Sequence, residues 1–192
     1  HAWTPDVYQG APTPITAFMA AATKVAAFGA MLRIFYVSLG GAVYSWKPIF
    51  TAVAILTMVV GSVIAIAQRD IKRMLAYSSI AHAGFLLIGV ATQDYNAVSF
   101  YLGTYLLMTF AAFFVLALIR SEEDSDELEA FDGLGKRNPL LASALTIAMA
   151  ALAGIPLTAG FWGKFLIFKS AIANDISWWL LSIAFVSVAA GF

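Results

Sequence analysis

Two lysines, Lys24 and Lys164, lie within apolar stretches long enough to cross a lipid bilayer. Lys24 stands about nine residues into a segment predicted to begin near residue 15, or roughly 14 Å along a helix, close to the middle of the hydrocarbon layer. Ionisable side chains at that depth are costly and are typical of ion and proton pathways. Lys24 is therefore a candidate proton or ion relay. The alternative is a structural lysine that pairs with a carboxylate from another helix.

Lys164 follows a stretch that is rich in helix-breaking residues. That stretch contains Gly154, Pro156, Gly160 and Gly163. As one straight helix, residues 139–173 would be about 52 Å long against a hydrocarbon core of about 30 Å, so we predict a helix that is broken in its middle. Unwound backbone at membrane depth lines polar sites, which makes Lys164 a second candidate relay. A short, tilted half-helix would instead bring it to the interface as an anchor.

His82 is the third candidate, because it lies about eleven residues into its own apolar segment, again near mid-membrane. Ser78 and Ser79 precede it by one turn and share its face, which predicts a polar stripe. The histidine either relays protons or is a neutral side chain hydrogen-bonded to serine or tyrosine, and both interpretations stay open. Two histidines without supporting carboxylates do not indicate a metal site.

The composition identifies the chain as a membrane protein. Hydrophobic residues make up 61% of it and charged residues 11%, and the mean hydropathy is +0.85. The runs 48–68, 74–93, 95–119 and 138–163 contain no Asp, Glu, Lys or Arg, and each reaches the roughly 20 residues that span a bilayer. A net charge of zero without a basic cluster argues against nucleic acid as a partner. The chain has no cysteine, so it can hold no disulfide or thiolate-ligated cluster of its own.

The predicted fold is an all-α polytopic transmembrane helical bundle with one broken helix. Residues 1–14 are expected to be the irregular end of a broken helix, since they contain three prolines and a glycine. Transmembrane helices are predicted over about 15–39, 47–68, 71–92, 97–120, 139–173 and 176–192, with the fifth broken and the last truncated. Residues 121–138 form an acidic loop. We expect the chain to be an excerpt of a longer protein, because it begins at His1 and ends without a polar flank.

The basic residues predict the orientation. One side of the bundle carries Arg69, Lys72, Arg73, Arg120, Lys136 and Arg137, whereas the other carries Lys47, Lys169 and Arg33. The positive-inside rule makes the first side cytoplasmic. The acids of the loop on that side are Glu122, Glu123, Asp124, Asp126, Glu127, Glu129 and Asp132. They indicate either a solvated loop or a docking surface for a neighbouring subunit.

Three long strings of residues resemble a known family. They are HAWTPDVYQGAPTP at 1–14, with Thr23 and Lys24 following, DIKRMLAYSSIAHAGF at 70–85 and LAGIPLTAGFWGKF at 152–165. Together they resemble the antiporter-like membrane subunits of respiratory complex I, NADH-quinone oxidoreductase. A lysine at position 164 is a feature of the N-type and L-type subunits and not of the M type. The sequence TPDVY at 4–8 is more similar to the N type than to the L type.

The resemblance implies a larger subunit built from inverted repeats, in which buried lysines, histidines and glutamates move protons. Lys24 matches the family's connecting lysine. Lys164 matches the lysine of a broken helix, which leads protons towards the outer side of the membrane. His1 matches the histidine of an earlier broken helix, and His82 matches a polar position. The family implies no redox centre in this chain. NAD, FMN, iron–sulfur clusters and quinone belong to partner subunits, and the neighbours are M-type and small K- or J-type membrane subunits in a bacterial inner membrane. The family's upstream glutamate and lysine are not in this sequence, so it does not hold a complete proton path.

Two other functions fit the same helix pattern. A Mrp-type sodium/proton antiporter subunit shares it and is not driven by redox chemistry. A purely structural membrane subunit would use its buried lysines to hold neighbouring helices by ion pairs.

Overall fold

The computed structural model describes residues 2–123 and 126–174, without the side chains of 121–123, and the regular elements of this part of the chain are helices, beside one isolated antiparallel bridge between Asp70 and Glu127. The helices are α1 (Thr4–Gly10), α2 (Thr13–Leu32), α3 (Val43–Ile66), α4 (Ile71–Ala91), α5 (Tyr95–Glu123), α6 (Leu134–Arg137), α7 (Pro139–Ala153) and α8 (Ala159–Ala173). A π-helical segment, Arg33–Ser38, extends α2, and short 3-10 turns occupy Gly40–Ala42 and Leu128–Phe131. His1 and the predicted segment 176–192 lie outside the described residues.

Four of the described helical stretches are long and apolar enough to cross a membrane. They are Thr13–Ser38, Gly40–Ile66, Ile71–Ala91 and Tyr95–Arg120. With the interrupted pair α7 and α8, they confirm the predicted all-α polytopic bundle with a broken helix. Helix α3 begins at Val43, ahead of the predicted start near Lys47, because the helix accommodates Pro48 in its interior rather than in its first turn.

Helix α4 is the most enclosed of the four spans, since 83% of its apolar window is buried, against 28% for α3. Small residues let α3 lie directly against it. A Cβ on Gly84 of α4 would stand 2.9 Å from the carbonyl oxygen of Ala54, and one on Gly61 of α3 would stand 2.7 Å from the amide nitrogen of Ala81. Side chains of α4 are thus surrounded by protein, including its serine and histidine positions.

Helix α2 turns one narrow face towards the rest of the bundle. Its buried residues are Thr13, Thr16, Ala17, Ala20, Ala21, Lys24, Phe28 and Leu32, a spacing of three and four that marks a single helical face. The alanines on this face are small enough for α2 to approach its neighbours closely. Because Lys24 belongs to the same face, its side chain is directed inwards rather than towards lipid.

The predicted helix break lies between α7 and α8. Helix α7 ends at Ala153, and Gly154 follows in the left-handed region at φ 89°, which glycine adopts without strain. Helix α8 then begins with Thr158 as its N-cap, whose hydroxyl accepts from the amide of Phe161 at 3.4 Å. A Cβ on Gly160 would collide with the carbonyl oxygen of Ala151, so the two half-helices touch backbone to backbone at this point.

The described part of the acidic loop folds back over the start of α4. The amide of Ile71 donates to the carbonyl oxygen of Asp126 at 2.9 Å. The Asp126 carboxylate pairs with Lys72 at 3.0 Å and with Arg120 at 2.9 Å. Lys72 was expected among the interfacial charges, but its side chain is fully buried. Asp126 is therefore bound to the bundle rather than solvated.

Candidate functional site

Lys24 reaches from α2 into the space between α4 and α5, where its side chain is 8% exposed. Its ammonium donates to the Ser79 hydroxyl at 2.6 Å, to the Ser79 carbonyl oxygen, and to the Tyr105 hydroxyl at 3.1 Å. The same nitrogen lies 4.8 Å from the centre of the Tyr105 ring, within the range of a cation–π contact. Within the described residues, all partners of this buried lysine are neutral oxygens and an aromatic ring.

His82 lies one helical turn beyond Ser79 on α4 and is 3% exposed. Its Nδ1 is 2.5 Å from the hydroxyl of Tyr101, and its ring centre is 5.2 Å from that of Tyr105. Tyr101 and Tyr105 are four residues apart on α5, so both point to the same side of that helix. The histidine thus stands between the two tyrosines, next to the hydroxyl groups that surround Lys24.

Lys164 projects from the first turns of α8 back to the end of α7. Its ammonium donates to the carbonyl oxygens of Leu152 and Ala153 at 2.9 and 2.8 Å. These are orphan carbonyls of a helix end, where a positive charge also meets the negative end of the helix dipole. The lysine is 6% exposed and lies 5.2 Å from the centre of the Phe85 ring. It is buried at the break and does not extend to an interface.

A small cavity joins the histidine to this second lysine. It has a volume of about 80 Å³, and its lining includes Ser78, His82, Phe85 and Lys164. A cavity that size has room for a few water molecules, and its hydroxyl, imidazole, ammonium and backbone groups supply the polar partners that water needs. The structure therefore brings Lys24, His82 and Lys164 into one row, with the histidine in the middle.

A larger cavity of about 520 Å³ lies on the other side of Lys24. Tyr8 of α1 and Thr23 of α2 are among its polar lining residues, and most of the remaining lining is apolar. Tyr8 itself is 2% exposed. Lys24 therefore has the hydroxyl groups and His82 on one side and this mostly apolar cavity on the other.

Sequence reasoning did not select the two tyrosines of the site or the ion pair of Lys72. Tyr101 and Tyr105 lie in an uncharged run, where a tyrosine commonly marks a membrane interface. Their spacing of four residues places both tyrosines on one face of α5, and this spacing was the signal in the sequence that they act together. Lys72 was counted for orientation alone, although it lies seven residues before Ser79 and hence on the same side of α4.

The described residues contain no group of three or more His, Cys, Asp or Glu side chains that could hold a metal ion. What they do contain is a row of titratable and hydroxyl groups inside an apolar bundle. Such a row can take up, pass on and release protons, since each member both donates and accepts a hydrogen bond in one of its protonation states.

A family model described as "NADH:quinone oxidoreductase/Mrp antiporter, TM" matches residues 1–191. The chain belongs to this family. The resemblance found in the three sequence strings is thereby confirmed. A curated relative, NADH-quinone oxidoreductase subunit N of Parafrankia sp. (strain EAN1pec), is 60% identical over 179 residues, which cover 91% of this chain and 34% of the relative.

Chains of two solved structures have the same fold as this chain. A chain of respiratory complex I from Thermus thermophilus with bound aureothin is 43% identical, with a TM-score of 0.87 over 100% of this chain and 42% of that one. A chain of the Mrp complex from Dietzia sp. DQ12-45-1b is 25% identical, with a TM-score of 0.93 over 100% of this chain and 36% of that one. The chain spans about a third of the length of the curated relatives it matches.

Proposed function

We propose that this chain is part of a proton-translocating membrane subunit of an NADH-quinone oxidoreductase, and that it relays protons between Lys24 and Lys164 through His82. One observation carries the proposal: three buried titratable side chains from three different helices meet in one row inside an apolar bundle. Keeping such groups in hydrocarbon surroundings is costly, which favours a role in ion movement.

The partners of the two lysines support a relay rather than a structural ion pair. A carboxylate about 4 Å from an ammonium would hold its charge with about 4 kcal/mol at an effective dielectric constant near 20. Lys24 and Lys164 have hydroxyl and carbonyl oxygens instead, among the described residues. Lys72 does have a carboxylate partner. Among the described residues, Lys72 is therefore held in an ion pair, whereas Lys24 and Lys164 have no carboxylate partner that would fix their charge.

The path we propose runs along the enclosed helix α4. Lys24 exchanges protons with the hydroxyl groups of Ser79 and Tyr105, and His82 follows one turn later. From His82 the cavity of about 80 Å³ leads to Lys164 at the helix break. Charge on one lysine raises the cost of charging the next, so uptake at one end and release at the other are coupled.

We further propose that the driving reaction takes place in other subunits. NAD, FMN, iron–sulfur clusters and quinone would be bound there, and M-type and small K- or J-type membrane subunits would be the neighbours in a bacterial inner membrane. The similarity to subunit N of the Parafrankia NADH-quinone oxidoreductase and to a chain of Thermus respiratory complex I supports this assignment. His1, which the family resemblance matches to the histidine of an earlier broken helix, is a further proposed proton-transfer residue.

The test uses the full-length subunit in its assembled complex. We expect Lys24→Ala and Lys164→Ala to lower proton translocation per NADH oxidised, because each removes a titratable group from the row. Lys136→Ala is the matched control, since this lysine is exposed. Undiminished proton translocation by both variants at normal assembly would refute the relay.

A Mrp-type sodium/proton antiporter is the second candidate, favoured by the TM-score of 0.93 to the Dietzia chain. Proton movement that depends on sodium and not on NADH oxidation would establish it. If the two lysines have a purely structural role, removing either one would reduce the amount of assembled complex. Proton translocation per assembled complex would then stay constant.

A further inference from the structure

Thr109 of α5 has a buried hydroxyl group without a hydrogen-bond partner among the described residues. The residue is 4% exposed. Leaving a buried hydroxyl unpaired costs about 1–3 kcal/mol, and nearly all such groups in folded proteins are paired with protein or with ordered water. A missing protein partner at a buried position therefore indicates a bound water molecule, provided that there is space for it.

The space is present next to this hydroxyl. Thr109 lines a cavity of about 10 Å³ together with Ser78, Ser79, His82 and Tyr105. A cavity of about 10–15 Å³ holds one water molecule, which needs two to four polar partners. The hydroxyl groups of the serines, the tyrosine and the threonine, together with the imidazole, supply that number.

This cavity lies between the hydrogen-bond partners of Lys24 and the imidazole of His82, where no direct hydrogen bond connects the two groups among the described side chains. Ser79 and Tyr105 bind the ammonium of Lys24, and His82 binds Tyr101. Among the side chains that the structure describes, no hydrogen bond joins Ser79 or Tyr105 to His82. On its other side, the cavity of about 80 Å³ that leads to Lys164 shares Ser78 and His82 with the cavity of about 10 Å³.

We propose that Thr109 is a positioning residue that holds one water molecule between Ser79, Tyr105 and His82, and that this water carries protons across the gap. The inference rests on the relay proposed above. In one transfer, the Lys24 ammonium gives a proton to a partner hydroxyl, that hydroxyl gives its own proton to the water, and the water gives one to Nε2 of His82, in the tautomer whose Nδ1–H donates to the Tyr101 hydroxyl. The hydroxyl and the water regain their composition, Lys24 becomes neutral and His82 becomes charged.

The experiment removes the hydroxyl with little change in side-chain shape. Thr109→Val in the full-length subunit of the assembled complex should slow proton translocation by about threefold to tenfold, which is about 0.65–1.4 kcal/mol at about 1.36 kcal/mol per factor of ten and lies in the range for one neutral hydrogen bond. Thr109→Ser, which keeps a hydroxyl, should restore most of the rate. Thr57→Val is the matched control, because the Thr57 hydroxyl already donates to the Val53 carbonyl oxygen at 2.6 Å.

A second measurement locates the water itself. A structure of the wild-type complex at a resolution that shows water should contain one within hydrogen-bond distance of the Thr109 hydroxyl, and the valine variant should lack it. No water at Thr109 in the wild type would overturn the proposal, even if the valine variant failed to assemble. A normal rate in Thr109→Val, alongside a loss in Lys24→Ala, would overturn it and leave the relay intact. Normal rates in both would contradict the relay as well.

Discussion

Removal of the Asp126 carboxylate should destabilise the end of the bundle where α4 begins, because it leaves the Lys72 ammonium buried without a counter-charge. Lys72 is fully buried, and its nitrogen lies 3.0 Å from the carboxylate oxygen. At that distance two opposite charges attract by about 5.5 kcal/mol at an effective dielectric constant near 20. The side chain of Asp126 is 15% exposed and is shared with Arg120, so we expect a smaller loss of about 3 kcal/mol, within the range for a broken buried pair.

The change to make is Asp126→Asn, which keeps the size of the side chain and one acceptor oxygen. A loss of about 3 kcal/mol lowers the ratio of folded to unfolded subunit roughly a hundredfold, since about 1.4 kcal/mol is a factor of ten. It should be measured as the amount of subunit assembled in membranes and as the half-life of the purified complex during thermal inactivation. Glu129→Gln is the matched control, because this acid of the same segment is exposed.

A double variant separates the charge effect from loss of packing. Lys72→Met removes the buried ammonium, and combined with Asp126→Asn it should recover most of the lost stability, because no uncompensated buried charge then remains. Lys72→Met alone should cost less than Asp126→Asn, since Asp126 keeps Arg120 as a partner. Equal stability of Asp126→Asn and Glu129→Gln, or a double variant no better than Asp126→Asn, would refute the reasoning.

Two further variants test the helix break. Gly160→Ala should lower assembly of the subunit, because the added Cβ would collide with the carbonyl oxygen of Ala151. Gly135→Ala is the control, since a Cβ there has open space around it, and it should leave assembly unchanged. A native gel of the complex compares the two variants. Leu157→Gly should prolong the thermal half-life of the complex, since Leu157 holds φ at 81° and is 99% exposed. Glycine relieves about 1 kcal/mol of strain there, and an unchanged half-life would show that the break is not strained.

The burial of Lys24 and the helix break before Lys164 could be predicted from the sequence because both depend on local rules. The depth of Lys24 follows from the length of its apolar segment, and the break before Lys164 follows from the glycines and the proline that a long helix does not accommodate. These arguments need no knowledge of the neighbouring helices. For the same reason they could not decide between relay and structural pairing, which depends on the partners that other helices supply.

The residues that sequence reasoning missed are those whose role depends on tertiary contacts. Tyr101 and Tyr105 differ from ordinary interfacial tyrosines only in the helix they face, and α5 alone does not reveal that they surround His82. Asp126 was one acid among several in a polar loop. Its pairing with Lys72 arises because the chain returns from α5 to the start of α4. For His82, the contact with Tyr101 fits a neutral hydrogen-bonded histidine and a relay equally well.

The way Lys164 closes the end of α7 has a consequence for the cost of moving a proton. An ammonium has three N–H groups, and two of them are used by the carbonyl oxygens of Leu152 and Ala153. After the third proton departs, the remaining amine still has two N–H groups, one for each carbonyl. Lys164 can therefore change between its charged and neutral forms while keeping both hydrogen bonds to the end of α7. The backbone of the broken helix need not rearrange when the charge changes.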